Sequence, residues 1–137
     1  MDFILWLIYG HYMQLQPNAV AVTTQCVRVA PEHAMPVKGE RAALVIEIPS
    51  KLGPAWPPAA QLLGEYPPGR LSATLYRRNG TTVRASNHNE IGVSKTSLQI
   101  SLTPDGGFAK GDEFVSLSLC ASPPVPEAIV RWRRIGL

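Results

Sequence analysis

From residue 19 onward, apolar and polar side chains alternate in short runs broken by turn residues. That period of two marks half-buried strands, and no stretch holds the longer period of an amphipathic helix. Candidate strands fall at 19–30, 42–48, 71–78, 81–86, 96–103, 113–121 and 128–135. Leu98, Ile100 and Leu102 alternate with Ser97, Gln99 and Ser101, and Val115, Leu117 and Leu119 alternate with Ser116, Ser118 and Cys120. Each strand therefore offers one core face and one small polar face. In the last strand Val130 and Trp132 alternate with Arg131 and Arg133, which makes Trp132 a core anchor and the arginines a basic edge.

The strongest local signal is Asn79-Gly80 between two alternating runs. A two-residue loop there would pair Leu75 with Arg84 and put a charge on the apolar face. A three-residue loop, Arg78-Asn79-Gly80 with Gly80 left-handed, pairs Leu75 with Val83 and Ala73 with Ala85 instead. Burial of one face decides register, so the three-residue loop is expected. A second hairpin with a longer, glycine-rich loop is expected from Pro104 through Gly106 and Gly107 to Asp112. Short strands separated by such turns predict an all-β fold, an antiparallel two-sheet immunoglobulin-like sandwich of about seven strands. The Cys–Trp–Cys pattern of true immunoglobulin domains is absent, so layout alone carries this expectation.

Two segments stand outside the alternation. Phe3-Ile4-Leu5-Trp6-Leu7-Ile8-Tyr9 is an unbroken apolar run ended by Gly10 and His11. Without basic residues before it or a small-residue cleavage site after it, a cleaved secretory signal is not expected. The run also falls short of the roughly 20 apolar residues a membrane-spanning helix needs. Three readings stay open: a buried first strand or short helix, a segment packed into a partner chain, or the trailing end of a membrane anchor with Trp6, Tyr9 and Tyr12 at the interface. Residues 1–16 are accordingly taken as an apolar N-terminal docking or anchor segment, and residues 17–137 as the β domain. The second segment, 49–69, carries Pro49, Pro54, Pro57, Pro58, Pro67 and Pro68 around Trp56, Leu62, Leu63 and Tyr66. It reads either as a crossover packed over an open end of the sandwich or as a stiff loop that presents Trp56 or Tyr66 to another molecule.

Composition narrows the function classes. The chain has 137 residues, 13 of them basic and 10 acidic, for a net charge of +3. This is one domain's length, and its basic excess is weaker than a dedicated nucleic-acid binder carries. Arg70, Arg77, Arg78, Arg84, Arg131, Arg133 and Arg134 would form a stripe if the first hairpin and the last strand lay side by side. Within that set Arg77, Arg78, Arg84, Arg131 and Arg133 are the candidate contacts for an anionic partner.

Catalytic chemistry finds little support. His11, His33 and His88 lack the spacing that sets two imidazoles around one metal, and no metal site is assigned. Asn87-His88-Asn89-Glu90 is the most polar patch and reads as a turn between strands, as Asp105 and Asp112 read as turn residues. There is no G-x-S-x-G, no phosphate-binding glycine loop, and no histidine near either cysteine in sequence. No catalytic residue and no cofactor are assigned. Two free, partly buried thiols are the simpler reading of Cys26 and Cys120, and a bridge stays open should the first and penultimate strands be neighbours and bring the Cα atoms within about 7 Å.

The expected function is a non-catalytic structural or assembly subunit of a virion, secretion or membrane machinery, with no enzymatic activity. It would dock to itself or to another protein through Phe3, Ile4, Trp6, Leu7, Tyr9, Trp56 and Tyr66. One alternative is a membrane-tethered envelope β domain that binds a ligand or peptide, with the membrane reached through residues 3–15. Another is a basic β module for nucleic acid, which the small net charge disfavours. The place of action is either a large assembly or a membrane.

Overall fold

A computed structural model of the protein describes residues 11–38, 42–49, 71–93, 97–122 and 124–134. The described residues form eleven strands and no helix: β1 (His11–Gln14), β2 (Val20–Val22), β3 (Val27–Val29), β4 (Met35–Pro36), β5 (Ala43–Pro49), β6 (Leu71–Tyr76), β7 (Thr82–Val93), β8 (Ser97–Thr103), β9 (Glu113–Phe114), β10 (Ser116–Ala121) and β11 (Val125–Arg134). All pairings are antiparallel. The all-β, antiparallel class read from the alternation is therefore the class of the protein.

The large sheet runs β1-β11-β5-β8-β7-β6-β10-β3, with β2 also paired to β11. The pairing thus follows one continuous, curled path. Residues 11–29 touch both ends of it. β1 and β2 lie along β11, the Ala121 amide donates to the Thr23 carbonyl at 3.1 Å, and β3 lies along β10. The stretch 19–30, expected as one strand, is split at Thr23–Cys26 so that it can leave β11 and join β10. Cys26 takes a left-handed φ of 64°, a conformation uncommon outside glycine. This turn also changes the parity of the chain, because Val22 faces the core before it and Val29 after it.

The first hairpin has the register that burial demanded. Ala73 pairs with Ala85 and Leu75 with Val83, around the loop Arg78-Asn79-Gly80. Gly80 sits at φ 89°, and its amide donates to the Arg77 carbonyl. Asn79 completes the turn, accepting from the Thr81 amide and hydroxyl through its side-chain oxygen.

Two other connections differ from expectation. β8 pairs with β5 and β7, whereas β10 pairs with β3 and β6, so the loop after Thr103 is a crossover and not a hairpin. It spans the end of the sheet and drops Phe108 into the core on the way. Asn87-His88-Asn89-Glu90 is likewise no turn between strands. It lies inside β7, where the register against β8 shifts between Asn87 and Ile91.

One core fills the curl, built from the inward residues of the long strands, among them Leu44, Ile46, Leu75, Leu98, Ile100, Leu117, Leu119 and Val130. Trp132 is the anchor that its alternation implied. It is fully buried, meets Phe108 and Phe114 edge-on with ring centroids 5.1 and 6.2 Å away, and donates its indole N–H to the Pro36 carbonyl at 2.9 Å. Pro36 belongs to the small β4–β9 sheet. Burial of one such indole removes roughly 200 Å² from water, on the order of 5 kcal/mol before entropic losses.

Cys26 and Cys120 are not free thiols but a disulfide, with Cα atoms 4.2 Å apart. The parity change at Thr23–Cys26 explains the difference. It turns Cys26 outward, onto the face that Cys120 already shares with Ser116 and Ser118.

Candidate functional site

Phe3, Ile4, Trp6, Leu7 and Tyr9 lie outside the described residues, as do Trp56, Tyr66 and the proline-rich loop beyond Pro49. What is described next to the apolar run is β1, which pairs with β11 from His11↔Arg134 to Gln14↔Arg131, followed by Leu15, buried in the core. The Leu15 amide donates to the Val130 carbonyl at 2.8 Å. Because antiparallel partners alternate, the amides of Met13 and His11 share that inward orientation, while those of Tyr12 and Gln14 point to the other edge. Among the described residues no strand pairs with that edge. A groove of about 550 Å³ lies there, between Met13, Leu15 and Pro17 on one side and Ala30, Pro31 and His33 on the other.

The arginines divide sharply by partner. Arg77 holds Asp112 with two parallel hydrogen bonds, Nε to Oδ1 at 2.8 Å and Nη2 to Oδ2 at 2.7 Å, and its guanidinium lies over the Phe114 ring. The hydrogen bond from Arg77 holds the Asp112 carboxyl below the ordinary aspartate range despite partial burial, and the Glu113 amide adds to this. Asp112 in turn raises the Arg77 guanidinium above its ordinary value. Arg78 reaches Glu113, Arg131 reaches Glu47, and Arg133 reaches Glu90. The Arg131–Glu47 contact, 2.9 Å from Nη1 to Oε2, is an ion pair outside hydrogen-bond geometry, which leaves that buried oxygen without a donor.

Arg28 and Arg84 behave differently. Arg28 donates to the Ser116 hydroxyl at 2.7 Å and stacks 4.0 Å over the Tyr76 ring, with no carboxylate on it among the described residues. Arg84 is exposed and has no ion pair or hydrogen bond among the described residues. The register sets the two in one cross-strand row, Arg28↔Ser118↔Thr74↔Arg84. Row neighbours on the same outer face are Ser116, Tyr76 and Thr82 on one side and Cys120, Ser72 and Ser86 on the other. The Tyr76 hydroxyl meets the Ser118 hydroxyl at 3.2 Å.

Of the predicted anionic contacts, then, four have a carboxylate partner inside the chain, loosely in the case of exposed Arg78, and Arg84 alone has none among the described residues. The stripe does not form from Arg77, Arg78, Arg84, Arg131 and Arg133, since β8 and β5 separate β7 from β11. Arg28, not singled out from the sequence, takes the place beside Arg84. Its signal was present in Val27-Arg28-Val29, but an unbroken strand over 19–30 gives Arg28 the parity of buried Val22 and hides it.

Among the described residues no group of three or more histidine, cysteine or acidic side chains stands close enough to hold a metal ion. No helix among them is long and apolar enough to cross a membrane. Compared with protein-family models, curated proteins and solved structures, the chain matches none.

Proposed function

We propose that the protein is a non-catalytic structural or assembly subunit that docks to copies of itself or to another chain of a larger complex. In this reading the apolar run from Phe3 to Tyr9 and the loop with Trp56 and Tyr66 add contact area around a strand-to-strand joint. The observation behind it is the open edge of β1. Among the described residues β1 keeps the outward row of its backbone groups unpaired, beside the groove that its residues line, and such rows are ready templates for pairing with another chain. We also read the curled path as the two leaves of an immunoglobulin-like sandwich, β11-β5-β8 facing β6-β10-β3, with the long β7 turning the corner. The single core between them supports that reading. The disulfide favours an oxidising compartment, such as the cell exterior, an envelope or a particle surface.

Light scattering of the full chain at micromolar concentration tests the joint. An oligomer is expected, and Gln14→Pro, which removes an amide pointing away from β11, should shift it toward monomer without loss of the far-ultraviolet β spectrum. An oligomer indifferent to Gln14→Pro, or a monomer with fast amide exchange at Tyr12 and Gln14 and no partner chain protecting them, would remove the reading.

A further inference from the structure

The hydroxyl-lined face of β3, β10, β6 and β7 has a composition that packing alone does not require. Arg28 and Arg84 stand at the two ends of one row, three strand spacings or roughly 14 Å apart, with Ser118 and Thr74 between them. Among the described residues neither arginine has a carboxylate partner, although the other four with described side chains each do. Arg28 is held in place by the Tyr76 ring and the Ser116 hydroxyl, so its fork is oriented before anything binds. Asp105 is an acid at the rim of a depression of about 260 Å³ that Arg84, Ser72 and Ser86 also line, and its described ion contact is with His88 at 3.4 Å.

We propose that this face binds a linear anionic polysaccharide, its carboxylate or sulfate groups held by Arg28 and Arg84 and its hydroxyls met by the serine and threonine rows between them. A planar guanidinium accepts both kinds of oxyanion through paired hydrogen bonds. The face is open and shallow, which suits a chain crossing several strands better than a small molecule enclosed in a pocket. Nucleic acid fits less well. Two unpaired cations are few against the several phosphate contacts that sustain such binding, and the Tyr76 ring that a base would stack on is covered by Arg28. The disulfide adds an environment in which acidic glycans occur and nucleic acid is scarce. None of this depends on the β1 edge, which lies along β11.

The test is a binding isotherm of the full chain at low salt against heparin as the sulfated probe, polygalacturonate as the carboxylated one, dextran as the neutral one and duplex DNA. Binding to at least one acidic glycan and not to dextran is expected. Arg28→Ala or Arg84→Ala should weaken it about tenfold each and the double variant should abolish it, whereas Arg78→Ala, on an arginine outside this row, should leave it within about twofold. Thr74→Glu places a carboxylate at the centre of the row and should give a similar loss with both arginines present, which guards against a folding artefact. Failure of both glycans to bind, binding that survives the double variant, or DNA bound as tightly with the same arginine dependence would each overturn the proposal.

Discussion

The two outer faces of the curled sheet use the same residue for opposite ends. On β11 and β5, Arg131 and Arg133 form ion pairs with Glu47 and Glu90, with the irregular part of β7 reaching over β8 and β5 to supply Glu90. Ser101 and Asn87 are buried beneath that reach, and Asn87 donates to the carbonyls of Glu90 and Ser101. On β3, β10, β6 and β7, Arg28 and Arg84 have hydroxyls beside them and no ion pair among the described residues. Alternation puts arginine outside in both places. What separates a structural arginine from an available one is whether the fold brings a carboxylate within reach, which depends on the path of distant segments rather than on local sequence.

The largest way to test this contrast is to remove the covalent link on the open face. Cys26→Ser with Cys120→Ser frees a loop closed over a separation of 94 residues. The chain-entropy account predicts a loss of about 3–5 kcal/mol in urea unfolding. A loss much smaller than this would show that the strand pairing of β3 holds the crossover by itself.

A middle-sized effect belongs to the neutralised face. Glu47→Gln leaves the partly covered Arg131 without its counter-charge and should destabilise the fold by about 1–2 kcal/mol, while Arg84→Ala should stay within about 0.5 kcal/mol of wild type. Equal effects of the two substitutions in parallel denaturation curves would erase the distinction between the faces.

The smallest effect is a change of shape in the acid limb. Asp112 is held below its ordinary value by Arg77, so the folded state binds its proton less readily than the unfolded chain does. Its contribution is therefore present above the ordinary aspartate pKa of about 3.9 and fades as pH falls through the lower folded value. Urea midpoints followed downward from about pH 5 should drop less steeply in Asp112→Asn than in wild type, from a lower starting point. A parallel slope would mean that the pair adds no acid sensitivity.

The sequence made some of this legible and hid the rest for identifiable reasons. The hairpin around Asn79-Gly80 was readable because a wrong register would have buried Arg84, so burial decided between two discrete choices. Trp132 was readable from alternation alone. The crossover at 104–112 was not, because its glycines set local turns at Gly106, Gly107 and Gly111 without saying which strand β10 would meet. Arg28 and the disulfide were hidden by one cause, the turn at Thr23–Cys26, which inverts inside and outside in a stretch whose composition reads as a single strand. The ion pairs that neutralise Arg77, Arg131 and Arg133 join residues 35 to 84 positions apart, and no spacing rule reaches that far.

That β1 meets the far end of β11, His11 against Arg134, also bears on how the molecule comes to be. Contacts of such sequence separation form late and slowly, since a long loop must close before they yield any stabilisation. Until β11 arrives, β1 and β2 lack the strand they pair with in the described sheet, and the nascent chain carries them unpaired while β3 to β10 are made. A chaperone or a waiting neighbour that shields this leading segment would act on the step where misassembly is easiest.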